Sequence, residues 1–180
     1  MKSQQKIKSH AGFTMVELIV VMAIAAILMA VVVPGFTTAI QKAATNREIN
    51  AFVGDLGFLR AEAVKEGVPV TMCASVDGVT CSGSVNWQFG WIIFSNPNLT
   101  TTAGAPIRKQ IAFTSTDTFV ADNATSSITY TSEGFTRNLG GNPVTFTLHT
   151  TPAVATLTQC VAINIAGRHI IQQLGTGNCS

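Results

Sequence analysis

A run of 24 residues, Leu18 to Gln41, carries no charge, and one carboxylate, Glu17, stands at its amino-terminal edge. Its core, residues 18–33, reads LIVVMAIAAILMAVVV. A helix rises about 1.5 Å per residue, so residues 13–33 would reach roughly 30 Å, the thickness of bilayer hydrocarbon. Lys2, Lys6 and Lys8 precede the run and no comparable cluster follows it. That asymmetry places the amino terminus in the cytoplasm and the rest across the membrane. Three readings satisfy these facts: a cleaved signal peptide, a plain single-span anchor, and a span in which Glu17 has a task. An unpaired carboxylate entering the hydrocarbon costs about 3 kcal/mol, which makes Glu17 a functional candidate. The alternative is that it rests in the interface near a helix amino terminus, where negative charge is tolerated.

Charge elsewhere is sparse. Lys and Arg number 11, Asp and Glu 9, and charged residues are 11% of 180, against about 25% in ordinary soluble domains. Without the three amino-terminal lysines the balance is 8 − 9 = −1. A highly basic nucleic-acid protein is therefore excluded, and so is disorder, which needs low hydrophobicity with high net charge. One folded domain plus an appendage fits this length.

The words around Glu17 narrow the three readings. Gly12-Phe13-Thr14-Met15-Val16-Glu17-Leu18 resembles the prepilin leader of type IV pilins and type II secretion pseudopilins. That pattern is a short basic leader ending in Gly, then Phe, a Glu five residues into the mature chain, and a long apolar helix. The resemblance implies that residues 1–12 are a leader cut by prepilin peptidase between Gly12 and Phe13, with methylation of the Phe13 amine. It implies that residues 13–36 are kept as a transmembrane and filament-core helix. It also implies that Glu17 pairs with the amino terminus of a neighbouring subunit as helices bundle. Pro34 falls where many pilins carry a proline; it removes a backbone N–H and predicts a helix kink, and Gly35 weakens the same spot.

Beyond Pro34, Ile40, Ala43, Ala44, Ile49, Phe52, Val53, Leu56, Leu59, Ala63 and Val64 recur at spacings of three and four. This predicts an amphipathic helix over 37–67 with one face for a core. Lys42, Arg47, Glu48, Asp55, Glu62 and Lys65 lie mostly off the stripe. Gly67 and Pro69 end the helix near Glu66. Residues 68–180 then read as a β-rich periplasmic head. Strands are expected at 68–73, 89–95, 107–114, 127–131, 144–150, 160–165 and 168–173. Turns are expected at Asp77-Gly78, Asn96-Pro97-Asn98, Gly140-Gly141-Asn142 and Ala166-Gly167. The fold class is α+β, a long amino-terminal helix packed on an antiparallel β-rich head. Residues 59–67 (LRAEAVKEG), Val70-Thr71-Met72-Cys73, Trp87 and Gly90-Trp91-Ile92-Ile93-Phe94 resemble the FimT/GspH group of minor pilins.

Cys73, Cys81, Cys160 and Cys179 all follow the span, on the predicted oxidising side, where an even count reads as disulfides. Three pairings can be drawn. Short loops close most easily, which favours Cys73–Cys81 and Cys160–Cys179. There is no CxxC and few histidines, so no metal site is expected. No GxSxG, P-loop or HExxH is present, His10 lies in the leader and His149 reads as a solvated strand residue. We therefore expect neither enzyme activity nor a cofactor.

Some FimT-type minor pilins capture DNA through a Gly-Arg-x-Arg motif between their last two cysteines. Gly167-Arg168-His169-Ile170 matches at Gly167 and Arg168, but Ile170 replaces the second arginine. Phosphate contacts need cations, so Arg168, His169, Arg137 and Arg108-Lys109 would have to converge for double-stranded DNA to bind. The opposing reading is that Arg168 is a solvated hairpin-tip residue. The expected partners are prepilin peptidase, major and minor pilins and, before assembly, the inner membrane. Two functions follow: a structural minor pilin or pseudopilin, and a DNA-binding subunit for uptake.

Overall fold

The computed structural model describes residues 12–100, 103–137, 139, 143–177 and 179. The turn expected at 140–142, and all of the leader except Gly12, lie outside the described residues.

One α-helix, α1, spans Met15–Glu66. It is a single element through Pro34, whose side chain lies outside the described residues. The chain divides into two compact units, Met1–Ile40 and Gln41–Ser180. In the first, the apolar side chains of α1 are exposed, Leu18, Ile19, Val21, Ile24, Ile27 and Leu28 among them. Among the described residues this is one helix long and apolar enough to cross a membrane.

In the second unit, α1 carries the core. Ile49, Phe52, Leu56, Leu59 and Ala63 are fully buried, at the three-and-four spacing of a single stripe. The stripe is narrower and more polar than its sequence implied. Val64 is exposed, whereas Glu48 and Asp55 are 5% and 1% exposed. Each acid has a hydrogen-bond partner, although Glu48 Oε2 is buried without one and burial pushes the Glu48 pKa up. Glu48 accepts from Ser115 Oγ at 2.7 Å, and Asp55 Oδ2 accepts from Trp91 Nε1 at 2.8 Å. Asp55 Oδ1 also lies 2.8 Å from Arg108 Nε. Gly67 closes the helix with φ +68°, and its N–H bonds to Ala63 O at 3.1 Å.

Among the described residues nine strands follow: β1 Val70–Ala74, β2 Gly90–Ser95, β3 Arg108–Ile111, β4 Thr118–Ala121, β5 Ser127–Tyr130, β6 Thr136–Arg137, β7 Val144–His149, β8 Gln159–Ile163 and β9 His169–Gln173. They form two sheets, ordered β3-β2-β1-β5-β6 and β4-β7-β8-β9. Every pairing is antiparallel. β4 and β6 fall where no strand was expected, and β3 is shorter than its expected span of 107–114.

Phe52 joins both sheets to the helix. Its ring meets Trp87, Trp91 and Phe119 edge to face and Phe146 at a tilt, with centroids 4.8–5.8 Å apart. Such aromatic pairs stabilise by about 1 kcal/mol each beyond area burial. Each indole N–H is satisfied, Trp87 donating to Thr125 O at 3.1 Å and Trp91 to Asp55. β1 is buried on both faces, which explains its lack of polar alternation. Met72 faces α1, and Cys73 packs outward with Ile92, Phe94 and Cys81.

Candidate functional sites

Two sites follow from the residues singled out above. The first is the start of α1. Thr14 occupies the residue before the helix, and its Oγ1 accepts the Glu17 N–H at 3.2 Å. The Thr14 carbonyl accepts from Leu18 N, also at 3.2 Å. Thr14-x-x-Glu17 has the capping-box spacing, a signal local to the sequence. It places the Glu17 carboxylate in the first turn, where the helix dipole favours negative charge. Glu17, Phe13 and Gly12 are all exposed, and Phe13 is 82% exposed. An acid and the Phe13 backbone are thus presented at one helix end, open to another molecule.

The second site is the β8–β9 turn. Asn164 N donates to Arg168 O at 3.1 Å and Gly167 N to Asn164 O at 2.9 Å. Arg168 N returns a bond to Asn164 Oδ1 at 3.0 Å. Gly167 has φ +74°, a conformation open to glycine. A Cβ there would also fall inside the Gly134 carbonyl and 2.9 Å from Tyr130 Cε1. The Gly167 carbonyl accepts from Tyr130 Oη at 3.1 Å and lies 3.4 Å from its second donor, Arg60 Nη1. Burial pushes the Tyr130 hydroxyl up to about 12. His169 is pushed below its usual value, first by burial and then by the Arg60 charge, and its Nδ1 is buried without a partner. Arg168 is exposed and lines a shallow depression of about 430 Å³ with Asn164, Ile170 and Gln172.

Arg60 is the residue that sequence reasoning missed. It lies on α1, 107 positions before the turn, and no local pattern links the two. The expected cation patch assembles only in part. Arg137 lies on β6, whose Thr136 bonds the turn through Asn164 O and Ile165 O. Arg108 and Lys109 lie on β3, at the opposite edge of the five-stranded sheet, four strand spacings or about 19 Å away. Arg108 is drawn instead to Asp55, with its guanidinium 5.1 Å over the Phe58 ring.

Two disulfides are present. Cys73–Cys81 closes the 76–80 loop and Cys160–Cys179 ties the carboxyl-terminal tail to β8. Among the described residues no group of three or more His, Cys, Asp or Glu is placed to hold a metal ion.

Two family profiles match this chain. The one described as "Type II transport protein GspH" covers residues 48–167, and the "Prokaryotic N-terminal methylation motif" covers residues 7–33. Two crystal structures of the type IV minor pilin FimU of Pseudomonas aeruginosa strain PAO1 share the fold. The form in space group P21 superimposes with a TM-score of 0.57 at 23% identity, over 76% of this chain and 92% of that one. The P65 form gives 0.53 at 24% identity, over 72% and 90%. No curated protein sequence matches significantly.

Proposed function

The chain belongs to the GspH family and carries the amino-terminal methylation motif, and from that membership we propose that it is a minor pilin of a type IV pilus. Its task is structural rather than catalytic. Prepilin peptidase removes residues 1–12, cutting between Gly12 and Phe13, and methylates the Phe13 amine. Residues 13–36 hold the protein in the inner membrane with its amino terminus cytoplasmic and the 68–180 head periplasmic. Residues 37–67 join the two. On assembly the apolar helix leaves lipid for a bundle of like helices, near the filament tip.

One observation carries this reading: the methylation motif runs into an exposed apolar helix whose first turn holds Glu17. Inside a helix bundle that carboxylate needs a partner. The methylated amine of the next subunit supplies a positive charge of matching size. In sheared filaments, Glu17→Ala should be depleted at least about tenfold while its membrane level is unchanged. Equal recovery in filaments would overturn the mechanism. Crosslinking followed by identification of the captured subunits separates a pilus from a type II secretion pseudopilus.

A second reading, DNA capture for uptake, gains one observation. Arg60 brings a guanidinium to the turn that carries Arg168, although Ile170 stands where a second arginine was expected. A few cations give a small electrostatic term, suited to weak, salt-sensitive binding. Titrating the protein with duplex DNA at low salt tests it. Binding that is unchanged in Arg60→Ala and Arg168→Ala would refute it.

A further inference from the structure

Open sheet edges invite pairing, and folded proteins block them with charge, short strands or covering segments. Three of the four edges here are blocked. β4 is covered by residues 85–88: Ala121 N bonds Val85 O at 3.0 Å, Phe119 N bonds Gln88 Oε1 at 3.2 Å, and Asn86 bridges Val120. β6 has two residues, and its Thr136 N bonds Ile165 O at 3.1 Å. β3 carries Arg108 and Lys109.

Among the described residues β9 carries no charge, and the tail covers it only at its carboxyl-terminal end, where Thr176 bonds Gln173. Its sequence, HIIQQ, holds no Lys, Arg, Asp, Glu or Pro. Ile170 and Ile171 are 45% and 48% exposed. The ladder fixes which backbone groups face outward. Gln173 N donates to Thr176 Oγ1 at 3.1 Å rather than to β8. At the other end Asn164 N bonds Arg168 O. With β9 paired to β8 in the register Gln159 with Gln173 and Ile163 with His169, alternation turns the amides of Gln172 and Ile170 toward β8. Those of His169, Ile171 and Gln173 turn away from it. Thr176 occupies the Gln173 groups. Among the described residues no backbone bond occupies the outward N–H and C=O groups of His169 and Ile171.

We propose that the β9 edge is a docking strand for the head of a neighbouring subunit that is a different pilin, which adds an uncharged strand beside His169 and Ile171. The proposal rests on the filament reading above. The area explains why the occupant is a filament neighbour. A five-residue edge is about 17 Å long and about 10 Å thick, on the order of 200 Å². That is far below the roughly 800 Å² per partner of a standard interface, so the edge cannot hold a free-standing dimer. A subunit already bundled through its helix is at high effective concentration, and there a short strand pairing suffices. The occupant's strand must be uncharged, with an apolar side chain opposite Ile171.

The test uses the full-length chain in cells that assemble the filament. Ile171→Pro deletes an outward N–H and leaves the β8 ladder bonds in place, the one setting in which an edge strand accepts proline. Ile171→Lys adds the missing edge charge and serves if the proline variant fails to fold. A photo-crosslinker at Ile170 reports the neighbour. The expected result is wild-type membrane level, at least about tenfold less protein in sheared filaments, and wild-type crosslinks to the head of a different pilin. Wild-type incorporation of the folded edge variants would overturn the proposal. Crosslinks only between two copies of this chain, or to no pilin, would also overturn it. Glu17→Ala, run in parallel, separates the two ideas. If it blocks incorporation while the edge variants do not, only the edge proposal fails. If it has no effect, the filament mechanism fails and the edge proposal with it.

Discussion

Replacing Gly167 with alanine asks whether this glycine belongs to a ligand motif or holds the fold together. The residue sits at φ +74°, where an L side chain costs about 1–2 kcal/mol. The added Cβ would enter the Gly134 carbonyl and approach Tyr130 Cε1 to 2.9 Å, and one contact atom is backbone that cannot swing aside. Relief requires the turn to move off Tyr130. The hydroxyl would then lose its 3.1 Å bond to Gly167 O, and a buried donor left unpaired costs about 1–3 kcal/mol. The sum is about 2–5 kcal/mol, or roughly 6–18 °C in Tm for a unit of this size. Thermal unfolding followed by near-ultraviolet circular dichroism of wild type, Gly167→Ala and Tyr130→Phe measures it. Tyr130→Phe should lose less, since it removes the donor and leaves the turn in place. A drop below about 3 °C for Gly167→Ala would refute the reasoning, because the turn would then tolerate a side chain.

Other outcomes follow from the same geometry. Asp55→Ala strands Trp91 Nε1 and frees Arg108, which is half exposed, so about 2–4 kcal/mol should be lost in urea unfolding after allowing for solvent screening. Asp55→Asn, which can keep the indole bond, should lose less. His169 has a folded pKa below its usual value, so the unfolded chain takes up the proton first. The stability this group contributes is complete above about pH 6.5 and declines as pH falls through the folded pKa. The Tm difference between about pH 7.5 and 5.5 should therefore shrink in His169→Gln. The Cys160–Cys179 bridge spans 19 positions and Cys73–Cys81 spans 8. On loop entropy, removing the longer bridge by paired Cys→Ser changes should cost about 3 kcal/mol and the shorter about 2.5. Chemical denaturation of the two double variants gives the order.

The long helix that begins this protein's described residues was legible in its sequence. An uncharged run, its flanking lysines and a lone glutamate are local signals, and helix periodicity is written within a few turns. The end of α1 at Glu66 was readable for the same reason, since Gly67 and Pro69 act on adjacent backbone. Strand existence was mostly legible too, because β-branched runs between turn residues report a local preference. Tertiary structure decided the rest. β4 and β6, of four and two residues, are too short for a local pattern to stand out; pairing with β7 and β5 defines them as strands. Asp55 looked like a surface charge and is buried, because Trp91 and Arg108 reach it from strands that follow far along the chain. Arg60 and Gly167 meet across 107 positions, and β9 is an edge because its pairing with β8 ends the sheet there among the described strands. Hydrophobic periodicity fixes which face of an element turns inward. Which elements then meet, and which edge is left free, depends on long-range pairing that no local window contains.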